Sequence, residues 1–178
     1  MTNAELAILS LVAEAPCHGN EIEQIIEERG MREWTEIGFS SIYYLLKKLE
    51  KADLVESELI PTLGRGKARR VYTITEDGYG VLLASTMDAL SHPQQTYPAV
   101  LLGVSNLPIL EGNQAQNALE SYLAGVEERL AHVKGKVEAQ SPLPPHVQYL
   151  FDYSLMLLEA EKRWVEKVVQ AISESGKQ

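Results

Sequence analysis

Basic residues are concentrated between positions 47 and 70 of a chain that is acidic overall. The 178 residues carry 16 Lys and Arg against 25 Asp and Glu, a formal net charge of −9 at pH 7. Residues 40–75 reverse this balance, with seven Lys and Arg against four Asp and Glu, a net charge of +3. Clustered Lys and Arg side chains can neutralise the phosphates of a nucleic acid. Taken alone, such a cluster is more often a solvated surface, so its function depends on the elements that carry it.

The first of these elements is an amphipathic helix predicted at residues 40–51. Its apolar positions recur every three or four residues, namely Ile42, Leu45, Leu46 and Leu49. The opposite face is small, polar and cationic, which suits a helix that enters a DNA major groove. We expect Tyr43 to pack in part and to offer its hydroxyl to a phosphate. Ser40, Ser41, Tyr44 and Lys48 are predicted to face bases or nearby phosphates, and Lys47 and Lys51 to reach phosphates.

Two strands joined by a basic loop are predicted to follow this helix. Residues 54–60 and 69–75 both have strand character, and the second run is rich in β-branched and aromatic side chains. The loop between them contains two glycines, and residues 61–75 contain no acid. The cations of this wing are predicted to contact phosphates or the minor groove: Arg65, Lys67, Arg69 and Arg70.

Two further helices precede the basic segment. Residues 3–14 are predicted as the first, which ends before Pro16, and residues 17–19 as a turn. Asn20, followed three residues later by Glu23, predicts an N-cap and a capping box for a second helix over residues 21–29. With a fourth helix over residues 75–90, this order predicts a winged helix-turn-helix domain at residues 1–90.

The remaining residues, 91–178, are predicted as a helical domain. Residues 99–105 are expected to form a short buried helix. Helices at 114–138 and 146–173 carry apolar residues in the heptad pattern of coiled coils. Stripes this broad exceed what one helix pair can bury, so the domain is predicted to form a homodimer and the fold class to be mainly α with a small β-hairpin wing. The residues predicted at the dimer interface are Leu119, Leu123, Val126, Leu130, Phe151, Leu158, Trp164, Val165 and Val168.

Other kinds of chemistry find little support in the sequence. The four histidines lack zinc-type spacing, and no nucleophile elbow, phosphate-binding glycine loop or HExxH helix is present, so we expect neither a metal, nor a cofactor, nor an enzyme. No apolar run approaches the ~20 residues that span a bilayer. Cys17 is the single cysteine and cannot form an intramolecular disulfide. Because the N-terminus also lacks the pattern of a secretory signal, a cytoplasmic protein is expected.

The motifs of residues 4–80 resemble the PadR family of bacterial transcriptional regulators. The resemblance lies in LAILSLV at 6–12, GNEI at 19–22, IYYLLKKLE at 42–50 and RVYTIT at 70–75, followed by Asp77 and Gly78. The helical second half is similar in layout to a longer subgroup that includes virulence-gene activators. By position, Tyr43 matches the family's recognition-helix tyrosine, Lys47 and Lys48 its basic pair, and Arg70 and Tyr72 its wing.

The resemblance implies a homodimeric, sequence-specific DNA-binding regulator, usually a repressor, that binds an operator in double-stranded DNA. Some relatives are released from DNA by small aromatic molecules such as phenolic acids. Two positions depart from the family pattern. Asn20 stands where many members have tyrosine, which alters the packing of the second helix, and Tyr44 replaces a frequent proline or arginine, which changes the sequence preference.

Two alternatives stay open at this point. The aromatic residues of the second half either fill the helical core or dimer interface, which the sequence favours, or line a site for an aromatic effector. The candidates for such a site are Tyr97, Tyr122, Tyr153 and Trp164. The second alternative concerns function: a protein–protein adaptor could keep the winged-helix shape without DNA affinity, and the net charge of −9 would allow it.

Overall fold

The computed structural model describes residues 1–61, 68–140 and 142–175, without the side chains of Glu33, Phe39 and Ser175. Within it the chain divides into two compact units, Met1–Gln94 and Gln95–Gln178. The predicted boundary lay four residues earlier. Arg65 and Lys67, two of the predicted wing cations, lie outside the described residues.

The first unit is built from four helices around one apolar core. They are α1 (Asn3–Glu14), α2 (Gly19–Glu28), α3 (Phe39–Lys51) and α4 (Glu76–Ser91), with a 3₁₀ turn at Met31–Glu33. The apolar periodicity of α1, α2 and α3 turns one face of each inward, and Ile8, Ile22 and Leu46 are completely buried. Burial of these faces fixes the exposed side of α3 relative to the rest of the unit.

A three-stranded antiparallel sheet completes this unit. Its strands are β1 (Cys17–His18), β2 (Val55–Ile60) and β3 (Arg69–Ile74), in the spatial order β1-β3-β2. The predicted class, mainly α with a small β wing, is confirmed. The turn predicted at residues 17–19 is wrong, because Cys17 pairs with Tyr72 and His18 with Val71. This pairing places the start of α2 beside the second wing strand.

The N-terminus of α2 also differs from the prediction. His18, and not Asn20, is the N-cap: its Nδ1 accepts from the Glu21 N–H at 3.2 Å, while the Glu21 carboxylate accepts from the His18 N–H at 2.9 Å. The capping box thus lies two residues earlier than expected. Asn20 is thereby freed from capping and exposes its side chain.

A close backbone contact joins the entry to β2 with the start of α4. The Thr75 hydroxyl donates to the carbonyl of Asp53 at 2.7 Å, and the Thr75 N–H donates to the carbonyl of Leu54 at 3.1 Å. At Gly78 a Cβ would lie 1.9 Å from the Leu54 oxygen, so only glycine fits. This contact fixes where the wing leaves the helical core.

The second unit is a long antiparallel helical hairpin preceded by short elements. These are α5 (Ala99–Ser105) with a 3₁₀ turn at Leu107–Ile109, then α6 (Gln114–Gln140) and α7 (Pro145–Ser175). No residue of α5 is buried within the chain, which corrects the expectation of a buried helix. An ion pair and a hydrogen bond connect α6 to α7. The Lys162 ammonium lies 2.6 Å from the Glu127 carboxylate, and the Tyr122 hydroxyl donates to Glu161 at 2.5 Å. None of the helices in the described residues is long and apolar enough to cross a membrane.

Candidate nucleic-acid interface

The recognition helix predicted from the sequence corresponds to α3, and its two faces differ sharply in exposure. The predicted apolar residues Ile42, Leu45, Leu46 and Leu49 are all buried. The opposite face is exposed to solvent, and its residues are Ser40, Tyr43, Tyr44, Lys47, Lys48 and Lys51, with Ser41 half-buried at its edge. The side chains predicted to meet DNA therefore lie on the solvent side of α3.

A pocket of about 300 Å³ lies where α2, α3 and β3 meet. Lys47 from α3 and Arg69 from β3 give it positive charge. Sequence reasoning missed its third wall, which consists of residues at the end of β1 and the start of α2. The lining residues are His18, Gly19, Asn20, Tyr43, Lys47, Arg69, Arg70 and Tyr72. The pocket thus joins the recognition helix and the wing strand into one surface, with positive charge and hydrogen-bonding groups suited to a phosphate.

Tyr43 connects the helix to this third wall. Its hydroxyl donates to Oδ1 of Asn20 through a short hydrogen bond. Its ring lies so close over Gly19 that a Cβ there would be 2.6 Å from Cε1. Because Oδ1 is engaged, the Asn20 amide presents its NH₂ group as the donor available to an incoming acceptor. The hydroxyl predicted to reach a phosphate is instead directed at Asn20 in the structure.

Arg69 also contacts this third wall. Its Nη1 is 3.1 Å from Nε2 of His18. No carboxylate contacts Arg69 among the described residues, so its charge remains available to a ligand anion. The motif GNEI contains Asn20 and directly follows His18, but the sequence alone does not show that these residues lie beside Tyr43 and Arg69.

Lys48, predicted to face bases or nearby phosphates, is half-exposed and forms an ion pair with another helix. Its ammonium lies 2.5 Å from Oε1 of Glu5 on α1. Glu5 is only 6% exposed, and its other carboxylate oxygen accepts from the N–H of Thr2 at 2.8 Å. Its hydrogen bond with Lys48 lowers the pKa of the Glu5 carboxyl, with the Thr2 N–H acting in the same direction, against the opposing effect of burial.

Arg70, predicted to contact phosphate or the minor groove, is also held by protein groups. Its Nη1 donates to the Ser57 hydroxyl at 2.7 Å and lies 3.7 Å from the Glu50 carboxylate. The Ser57 hydroxyl in turn donates to Glu50 through a short hydrogen bond. Arg69 and Arg70 are adjacent in sequence, yet their guanidinium groups have different partners, because successive side chains of a strand point to opposite faces.

The residues predicted at a dimer interface separate into two groups. Five are buried within the single chain, where α6 and α7 pack along each other: Leu119, Val126, Phe151, Leu158 and Val165. In each of these five residues the hydrophobic side chain is covered by the hairpin of its own chain, and the assignment to a dimer interface stays a prediction. The other four are half-buried: Leu123, Leu130, Trp164 and Val168.

The aromatic residues predicted for an effector site do not converge. Tyr97 and Tyr153 are 81% and 66% exposed. Tyr122 borders an apolar cavity of about 170 Å³ between α5, the 3₁₀ turn and α6. Trp164 borders a separate cleft of about 1020 Å³, together with Lys167 and Asn113. The described residues contain no cluster of His, Cys, Asp or Glu that could hold a metal ion.

The helices of the first unit, its exposed α3 and the strand pair that follows define a winged helix-turn-helix protein. Residues 8–84 match the model of the transcriptional regulator PadR-like family. Over these residues the chain matches the PadR-like family of transcriptional regulators, and the resemblance seen in the sequence is confirmed. A family of regulators also confirms the prediction that the protein is not an enzyme.

Solved structures of PadR-type proteins share the fold over nearly the whole chain. Bacillus subtilis PadR in complex with operator DNA is 21% identical with a TM-score of 0.76, covering 94% of this chain and 98% of that one. The same protein in complex with p-coumaric acid is 22% identical with a TM-score of 0.72, covering 95% and 98%. The Vibrio cholerae virulence activator AphA is 14% identical with a TM-score of 0.76, covering 97% and 99%. A comparison of the sequence with curated proteins gave no match.

Proposed function

We propose that this regulator binds an inverted-repeat operator in double-stranded DNA as a homodimer and represses transcription. The observation that carries the proposal is the cationic pocket between α2, α3 and β3, beside the solvent-exposed face of α3. Placed in a major groove, α3 would direct Ser40, Ser41 and Tyr44 towards base edges. The wing, including Arg65 and Lys67, would follow the phosphate backbone. The shared fold of a PadR protein bound to operator DNA supports this arrangement.

Dimerisation is supported by an apolar stripe on α7 that the chain does not cover. The stripe recurs at helical spacing on the side away from the buried seam, and its members are 40–70% exposed: Tyr149, Leu150, Tyr153, Met156 and Leu157. An apolar stripe of this length marks a protein-binding surface. A second copy of the chain is the partner we propose, because two-fold symmetry places two recognition helices on half-sites about 34 Å apart.

A small aromatic effector is the third part of the proposal. The cavity beside Tyr122 has a volume of about 170 Å³ and an almost wholly apolar lining that includes Val104, Ala118 and Leu119. An apolar cavity of roughly 150 Å³ suffices for one benzene ring. The p-coumaric acid complex of a PadR protein with the same fold supports this class of ligand. A panel of single-ring aromatic acids should raise the melting temperature of the wild type and not that of Ala118→Leu, whose larger side chain fills the cavity.

DNA binding is tested by fluorescence anisotropy with duplexes from the protein's own upstream region, across a salt series. Lys47, Lys51 and Arg69 would supply six phosphate contacts per dimer, so log K should fall with log salt at a slope of about −5 or steeper. A random duplex of equal length is the control for specificity. The absence of salt-dependent binding to any duplex would refute DNA recognition and favour the adaptor function. Repression is tested with a reporter gene under the upstream promoter, whose expression should rise when the regulator is deleted.

A further inference from the structure

The cations near the proposed DNA surface differ in whether a carboxylate of the protein already neutralises them. Lys48 is paired with Glu5, and Arg70 is linked to Glu50. Among the described residues, Lys47 and Lys51 have no such partner, although they lie on the same helix as Lys48. This difference is invisible in the sequence, where the adjacent residues Lys47 and Lys48 form one basic pair.

We propose that Lys48 and Arg70 are positioning residues, which hold the recognition helix and the wing in their binding geometry, whereas Lys47, Lys51 and Arg69 supply the phosphate contacts. This inference rests on the proposed DNA binding. It assigns different functions to neighbouring cations of one surface.

The Lys48 side chain anchors α3 to α1. Its acceptor, Glu5, is fixed independently of α3, because it belongs to the capping box of α1 and its other oxygen takes the Thr2 N–H. A buried carboxylate without its cation would carry an uncompensated charge, so the pair is costly to break. An ammonium that neutralises this carboxylate adds little net charge to a DNA surface, and its release to a phosphate would leave Glu5 unpaired.

The Arg70 side chain joins three elements. Its guanidinium on β3 donates to Ser57 on β2, and Ser57 donates to Glu50 on α3. The network therefore sets the wing strands against the recognition helix. Since a helix in a groove and a wing on the backbone must engage the same duplex at once, the angle between them determines whether both can bind.

The cations assigned to phosphate contact have a different environment. Lys47 from the helix and Arg69 from the wing both line the pocket of about 300 Å³, which Arg70 also borders. Lys51 follows Lys47 by four residues and so lies on the same side of α3. Arg69 contacts Nε2 of His18, which also lies 3.4 Å from the Glu21 carboxylate, and among the described residues no carboxylate contacts Arg69 itself.

Removing both charges of the Glu5–Lys48 or the Glu50–Arg70 pair distinguishes a positioning role from phosphate contact. The variants are Glu5→Gln/Lys48→Gln and Glu50→Gln/Arg70→Gln, which leave the net charge of the protein unchanged, with Lys47→Gln and Arg69→Gln as controls. We expect the pair variants to keep the wild-type salt slope while binding weakens roughly 2- to 30-fold at every salt concentration, as for changes that act at a distance. Each control should reduce the slope by about 1.8 per dimer, which means about 12-fold less salt sensitivity between 50 and 200 mM.

The single variants Glu5→Gln and Glu50→Gln give a second, nearly isosteric test in case a pair variant melts below the assay temperature. Each frees a cation, so the salt slope should become steeper. If Lys48 or Arg70 already bound phosphate, the slope would stay at the wild-type value. The inference would be overturned by an unchanged slope in the single variants, by a pair variant with a reduced slope, or by a pair variant with wild-type affinity. The proposed DNA binding would survive each of these results. A wild-type protein without salt-dependent DNA binding would overturn the proposed function as well.

Discussion

Substitution of Gly19 by alanine should weaken DNA binding while leaving the fold intact. The ring of Tyr43 lies over Gly19, and a Cβ at that position would be 2.6 Å from Cε1 and 2.8 Å from Cζ of the ring. To restore ordinary van der Waals contact the ring must retreat by about 1 Å. That movement breaks the hydrogen bond from the Tyr43 hydroxyl to Asn20 and releases the Asn20 amide from its fixed orientation.

The two effects on stability nearly cancel. Alanine in place of glycine in a helix gains up to about 0.5–1 kcal/mol, and loss of the hydroxyl–amide hydrogen bond costs about 0.5–1.5 kcal/mol. Because Tyr43 is 42% exposed, its ring can move towards solvent without opening the core. In the complex, loss of an oriented amide donor to phosphate should cost about 1 kcal/mol per protomer, hence roughly 30-fold in affinity for a dimer.

The assay pairs anisotropy titrations with urea unfolding of the same samples. Gly80→Ala on α4 is the matched control, because a Cβ there meets nothing within 4 Å. It should bind DNA as the wild type does and gain stability. Tyr43→Phe removes the hydroxyl and keeps the ring, so it should reproduce the loss of affinity. If Gly19→Ala binds within threefold of the wild type, the Tyr43–Asn20 contact plays no part in DNA recognition.

Four other substitutions test the remaining contacts. The pKa of the Glu5 carboxyl is lowered in the folded protein from its usual value of 4.5. The ionised carboxylate therefore stabilises the folded protein above pH 4.5, and this stabilisation is lost as the pH falls through the lowered pKa. The urea midpoints of wild type and Glu5→Gln should differ at about pH 7 and converge in acid. Leu157→Glu, on the exposed stripe, should give monomers by light scattering with unchanged helical circular dichroism, whereas a persistent dimer would place the interface elsewhere. Leu158→Ala, one residue away and buried, should keep the dimer but lose about 2–5 kcal/mol of unfolding free energy. Gly78→Ala should destabilise by more than about 3 kcal/mol, because the backbone oxygen of Leu54 cannot yield, and an unchanged melting temperature would contradict this packing.

The sequence predicted those elements whose periodicity is set by burial. Helix α1 matches its predicted bounds, and no end of α3, α6 or α7 differs from its predicted position by more than two residues. The strand β1 was missed because two residues are too few to show a period, and only pairing with Tyr72 makes Cys17 a strand residue. The cap of α2 was misplaced for a related reason. Asn20 is the stronger N-cap by type, but the β1 pairing fixes the backbone at His18.

Contacts between elements account for the remaining differences. The heptad pattern located the apolar positions of α7 but could not tell which side meets α6 and which stays uncovered. Phe151 is buried in the hairpin, whereas Leu150, its neighbour, is 40% exposed. The partners of Lys48 and Arg70 could not be predicted from the sequence either. Glu5, for example, lies 43 residues before Lys48. The period of a helix or strand predicts which residues share one face of that element. Which other element packs against that face depends on segments far away in the sequence.

The proposed pairing of cations would allow an acidic protein to recognise DNA selectively. Attraction to phosphate that does not depend on sequence scales with the number of cations free to release counterions. Where Glu5 and Glu50 engage Lys48 and Arg70, that number is reduced while the side chains still hold α3 and the wing in place. The remaining attraction is then confined to Lys47, Lys51 and the wing, so tight binding requires a duplex that these few contacts and the bases facing α3 can fit simultaneously. Specificity in this arrangement comes from removing non-specific affinity as much as from adding contacts.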